Sequence, residues 1–173
     1  MHNQLSIPVY QVVGYKRAGK TTLMTSLIRY FSSTGMRVGT LKHHGHGGEP
    51  AVIKETDSYQ HTEAGSLISA VQGEKQLHLT VNQKEKLALT DILPLYTFLP
   101  LDLLLIEGYK NASYPKIVLI REEADIHLLD RLSNIIAVGS WNMNNLHIKD
   151  HFTFSLQEME TSLPQLAKLM IGD

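Results

Sequence analysis

Gly14, Gly19, Lys20 and Thr21 follow the pattern Gly-x-x-x-x-Gly-Lys-Thr, directly after the apolar run I-P-V-Y-Q-V-V. Residue types in this order do phosphate chemistry. Glycines let the backbone curl so that successive N–H groups point inward as an anion nest. A helix starting near Lys20 would aim its positive end at the same point. The Lys20 ammonium can reach the outer phosphates of a nucleoside triphosphate, and the Thr21 hydroxyl can ligate Mg2+. Lys16, Arg17 and Ala18 complete the loop and Thr22 follows it, so all four are candidate phosphate contacts with Gly14, Gly19, Lys20 and Thr21.

Such a loop needs a carboxylate at the end of a neighbouring apolar strand to hold the metal, directly or through water. D-L-L-L-I-E-G-Y-K (102–110) supplies Glu107 there. Asp102 opens the same strand, about 17 Å away if extended, and is the weaker candidate. Three histidines, His43, His44 and His46, crowd the stretch L-K-H-H-G-H-G-G after the second apolar run. Three readings stand for that loop: a transition-metal site, a solvated surface, or a site for an anionic substrate. In an open α/β sheet the loops at the carboxyl ends of the strands share one crevice, so this loop and Lys110 should face the phosphate loop. Asp57 caps a predicted short helix or serves the metal from a distance.

These residues require a scaffold of alternating strands and helices. Strands are expected over 7–13, 36–42, 66–73, 75–81, 102–107, 116–121 and 134–139, and helices over 20–33, 56–64, 84–96 and 156–170, with a short one between the strands at 116–121 and 134–139. Leu23, Leu27, Ile28 and Phe31 recur at helical spacing, and Gly35 stops that helix. The runs D-L-L-L-I-E and K-I-V-L-I-R are apolar on both faces, the mark of central parallel strands. The expected fold is therefore α/β, a three-layer P-loop sandwich with a mostly parallel sheet and an antiparallel hairpin at 66–81. The chain has 173 residues, which suits one nucleotide-binding domain over 1–173.

A formal net charge of −1 argues against a general nucleic-acid binder. Cysteine is absent, which removes disulfides and thiolate ligands and suits a reducing cytoplasm. The most apolar stretch (92–107) holds two prolines and Asp102, so it reads as a turn and a buried strand, not a membrane span.

G-Y-K-R-A-G-K-T-T, L-K-H-H-G-H-G, T-D-S, A-G-S, L-L-I-E-G-Y-K and P-K-I, in this order, resemble the molybdopterin-guanine dinucleotide biosynthesis protein B (MobB) family. The resemblance runs over roughly 7–121. It implies a P-loop protein that binds GTP with Mg2+, hydrolyses it weakly at most and forms a homodimer. It further implies an accessory role in molybdenum cofactor biosynthesis, where a partner guanylyltransferase attaches GMP to molybdopterin. The phosphate-loop residues and Glu107 carry over by motif; Lys42, His43, His46, Gly108 and Lys110 carry over as signature positions. His44 stands where the family usually has aspartate, and Glu55-Thr56 where Gly-Lys is frequent. A guanine-reading N-K-x-D motif is missing; S-W-N-M-N-N (140–145) follows a strand where one could lie, which makes Asn142 and Asn144 candidates for a base contact. Two other functions use the same loop: a GTPase metallochaperone holding metal on His43, His44 and His46, and a small-molecule kinase. No basic lid for a kinase is evident, since Lys and Arg cluster only at 16–20 and 84–86.

Overall fold

The computed structural model describes residues 5–44, 54, 56–143, 148 and 150–172. They form two compact units, Met1–Gly45 with Leu93–Asp173, and His46–Ile92.

The first unit is a six-stranded sheet in the order β2-β5-β1-β6-β7-β8, in which every neighbouring pair is parallel. Its strands are β1 (Val9–Gly14), β2 (Val38–Lys42), β5 (Leu103–Glu107), β6 (Lys116–Ile120), β7 (Ile135–Ser140) and β8 (Phe152–Ser155). β5 and β6 are buried throughout, as expected of strands covered on both faces. Side chains alternate between two apolar layers. Val12, Leu103, Leu105, Ile117, Leu119 and Ala137 pack with helices α1 (Lys20–Ser33) and α5 (Met159–Ile171). Val13, Val118, Ile120 and Val138 face the other way, against Leu128 and Leu129 of α4 (Leu128–Arg131). α1 buries Leu23, Met24, Leu27 and Phe31 as one stripe and ends where Gly35 turns at φ 88°.

The second unit holds α2 (Asp57–Glu63), the antiparallel hairpin β3 (Ile68–Gln72) and β4 (Leu77–Val81), and α3 (Leu89–Ile92). The hairpin closes where Gly73 N–H donates to the Gln76 carbonyl.

The α/β class, the parallel sheet and the separate hairpin agree with the sequence. Two elements differ. The helix expected over 84–96 is only α3, and the chain from Leu93 to Phe98 is a 3₁₀ turn. Pro94 disfavours α geometry in the residue before it, and the charged run Lys84-Glu85-Lys86 offers no apolar side chain of its own to nucleate a longer helix. β8 was not expected, because F-T-F-S is too short to show an alternation.

Candidate functional site

β1 ends at Gly14 and α1 begins at Lys20, so the glycine-rich loop joins the strand to the helix N-terminus. Its sharp curvature follows from residues with positive φ, Gly14 at 153°, Arg17 at 65° and Gly19 at 96°. Gly14 and Gly19 are also fixed by space. A Cβ on Gly14 would lie 2.6 Å from the Leu119 carbonyl oxygen, and one on Gly19 would lie 2.8 Å from the Trp141 indole nitrogen. Ala18 is buried, while Lys16 and Arg17 are exposed. Thr22 lies in the first turn of α1.

The Lys20 ammonium donates to the Gly14 carbonyl at 3.0 Å and the Tyr15 carbonyl at 2.7 Å, so it folds back over the loop. Burial pulls its pKa below the ordinary lysine value, Glu107 pushes it up, and Lys42 and Arg121 push it down.

Sheet register assembles the rest. Glu107 closes β5 and is paired across the sheet with Val12 of β1 and Lys42 of β2. Its carboxylate is buried on the α1 side. Thr21 Oγ1 lies 3.4 and 3.5 Å from the two carboxylate oxygens, long for a direct hydrogen bond. The Lys42 ammonium sits 3.1 Å from Glu107 Oε1 and 3.4 Å from Thr21 Oγ1. A hydroxyl and a carboxylate that already share one cation are hard oxygen donors of the kind Mg2+ takes. Thr21 and Glu107 thus fit the metal that a phosphate loop implies.

The remaining signature residues flank this core. The turn after β5 carries Gly108 at φ 98° and Tyr109 at φ 49°. The Gln11 side chain, fully buried, donates to the carbonyls of Gly108 (2.9 Å) and Tyr109 (2.7 Å) and holds that turn. His43 stacks on the Tyr109 ring at 4.3 Å, above Gly108, where a Cβ would come within 3.0 Å of His43. Lys110 lies over the Tyr15 ring at 5.7 Å, with Arg121 5.8 Å from the same ring. The structure therefore brings Lys42, Thr21 and Glu107 together, and puts the Lys110 ammonium over the ring of Tyr15 in the glycine-rich loop. The Tyr15 hydroxyl donates to His127 Nε2 (2.9 Å), because His127 Nδ1–H is engaged by the Ala124 carbonyl. His44 is exposed, and no group of three metal-ligating side chains occurs among the described residues. His46, Glu55 and Asn144 lie outside the described residues. Asp57 opens α2 in the second unit, after Thr56, whose hydroxyl accepts from the Tyr59 N–H as the helix cap.

Beyond β7 and β8, Trp141, Asn142, Met143, Ser155, Gln157 and Glu158 line a polar cleft of about 380 Å³. Trp141 borders both this cleft and Gly19. Sequence reasoning missed Gln11, Tyr15, Arg121 and Trp141. Of these, Arg121 and Trp141 carried a signal, since each directly follows an apolar strand.

A parallel sheet with Gly-x-x-x-x-Gly-Lys-Thr between β1 and α1, and a buried glutamate closing the adjacent β5, defines a P-loop α/β protein. The chain belongs to the molybdopterin guanine dinucleotide synthesis protein B (MobB) family, whose pattern matches residues 9–141. A probable molybdopterin-guanine dinucleotide biosynthesis adapter protein of Bacillus subtilis is 44% identical over 134 residues, spanning 76% of this chain and 75% of that one. The crystal structure of Bacillus subtilis MobB superposes with a TM-score of 0.79 at 35% identity, covering 96% of this chain and 100% of that one. A MobB homologue from Bacillus stearothermophilus gives 0.74 at 38% identity, covering 92% and 95%. Among the described residues, no helix is long and apolar enough to cross a membrane.

Proposed function

We propose that this chain is a GTP-binding adapter in molybdopterin-guanine dinucleotide biosynthesis, a weak GTPase at most, which serves a partner guanylyltransferase. The observation that carries the reading is the meeting of Lys20, Thr21 and Glu107 at the carboxyl ends of β1 and β5, in a chain of this family.

Each residue then has a task. The loop from Gly14 to Gly19 wraps the phosphates with backbone N–H groups, Lys20 leaves its carbonyl partners for the outer phosphates, and Thr21 and Glu107 hold the metal. Mg2+ bound there would neutralise charge on the β- and γ-oxygens. The nucleobase is assigned to the cleft after β7 and β8, with Trp141 as its apolar wall and Asn142, Ser155 and Gln157 as polar readers. Lys42, His43 and Lys110, all at strand ends, serve the phosphate-bearing pterin. Hydrolysis has no dedicated group in this scheme, which suits holding a nucleotide more than consuming it.

The homodimer is proposed on the hairpin. Ile68, Leu77 and Leu79 share one face of β3–β4 and are 55%, 64% and 47% exposed, an apolar row that a second copy would cover. Light scattering of the Leu77→Lys/Leu79→Lys variant should give a monomer; an unchanged mass removes the hairpin from the interface.

The functional test is a reconstituted reaction in which a guanylyltransferase attaches GMP to molybdopterin. The protein should raise the yield, and Lys20→Ala should remove that gain. A gain that survives Lys20→Ala would separate the adapter role from nucleotide binding.

A further inference from the structure

The residue that touches the proposed metal ligands is itself a cation. Lys42 and Glu107 are register partners in parallel strands, so their side chains leave the same face of the sheet. The Lys42 ammonium pairs with Glu107 Oε1 at 3.1 Å and lies 3.4 Å from Thr21 Oγ1. These are the two groups assigned to Mg2+. The two partners differ in freedom. The Glu107 side chain is 9% exposed and fixed between β1 and β2, whereas that of Lys42 is 59% exposed on an edge strand. The lysine is the member that can swing away. An ammonium and a divalent cation cannot share the same carboxylate oxygen at contact distance without strong like-charge repulsion.

We propose that Lys42 competes with the divalent metal for Thr21 and Glu107, so that metal binding expels its ammonium and frees it at the carboxyl end of β2. The inference rests on the nucleotide-binding reading above and adds a direction to it. Lys42 is a brake on metal loading, and it becomes available to an anionic partner only when the metal is in place. In the absence of metal the ammonium keeps the buried carboxylate paired, which spares the fold an isolated buried charge.

The test uses Mn2+ as probe. The full chain, saturated with GDP, is titrated with Mn2+, and free Mn2+ is read by electron paramagnetic resonance. GDP lacks the outermost phosphate, so a contact between Lys42 and that phosphate drops out. Wild type, Lys42→Met, Lys42→Gln and Lys42→Arg are compared, with circular dichroism as the fold control. Both neutral variants should bind Mn2+ tighter by about fivefold, the scale of one part-exposed ion pair. Lys42→Arg should stay near wild type, since it keeps the competing charge. Equal or weaker Mn2+ affinity in Lys42→Met and Lys42→Gln, with GDP still bound by wild type, overturns the competition and leaves the nucleotide reading standing. Failure of wild type to bind GDP removes the nucleotide reading, and the competition falls with it.

Discussion

Replacing Lys116 by methionine tests the scaffold that holds the site. Lys116 opens β6, is fully buried, and donates to three carbonyls, Ala112 (2.9 Å), Tyr114 (2.9 Å) and Ser133 (2.8 Å). It ties the chain after Lys110 to the turn before β7, and the side-chain amide of Asn134 in that turn also donates to the Ser113 carbonyl. Methionine keeps the length and removes all three bonds. Charged hydrogen bonds are worth about 1.5–3 kcal/mol each, which would give roughly 5–9 kcal/mol gross. Recovered desolvation of the ammonium returns several kcal/mol of this, so the net loss should be about 3–5 kcal/mol. In a chain of this size that is a fall in Tm of roughly 10 °C. The pH dependence gives a second reading. Burial lowers the Lys116 pKa below its ordinary 10.5. Between the lowered value and 10.5, the unfolded chain keeps a proton that the folded one has shed. Stability contributed by this group therefore rises with pH across that window, and the penalty is present in full below it. Urea unfolding at neutral and alkaline pH measures both effects. A loss under about 1 kcal/mol, or the same alkaline slope in both proteins, would refute the assignment of Lys116 as a charged clasp.

Glu107→Gln should reduce the gain in triphosphate affinity that Mg2+ provides by about tenfold or more, and leave metal-free binding largely intact; superimposable Mg2+ titrations would dismiss Glu107 as a metal group. Gly19→Ala should weaken nucleotide binding and change the emission of Trp141, the one tryptophan of the chain, because the new methyl meets the indole at φ 96°; an unaltered spectrum would mean Trp141 does not pack on the loop. Arg121 holds the Asp125 carboxylate below its ordinary pKa of 3.8. This stability is present above 3.8 and lost as pH falls through the lowered value, so Asp125→Asn should flatten the acid limb of the stability profile, and a limb unchanged from wild type would count against the pair.

The parts of the fold legible in the sequence are those coded by local pattern. Continuous apolar runs announced β1, β5, β6 and β7, and the spacing of Leu23, Leu27 and Phe31 announced α1. The loop from Gly14 to Lys20 was legible because its backbone geometry demands glycine. What stayed hidden depends on which strands become neighbours. Nothing in L-K-H-H says that Lys42 pairs in register with Glu107, which lies 65 positions away and meets it only when β2 docks on β5. Trp141 lies against Gly19 only because β7 is two strands from β1. Lys116 looked like part of a family signature, and its buried position shows a structural task. The helix expected over 84–96 failed for a local reason, since it opens on three charged residues, Lys84, Glu85 and Lys86, and Pro94 breaks the pattern.

We propose above that the glycine-rich loop binds a guanine nucleotide through Lys20. Isothermal titration of the purified chain with GTP and with ATP, each with Mg2+, tests it directly, with Lys20→Ala as the comparison. Wild type should show saturable GTP binding and weaker ATP binding, and Lys20→Ala no measurable GTP binding while retaining the wild-type circular dichroism spectrum. Equal GTP affinity in wild type and Lys20→Ala would contradict it.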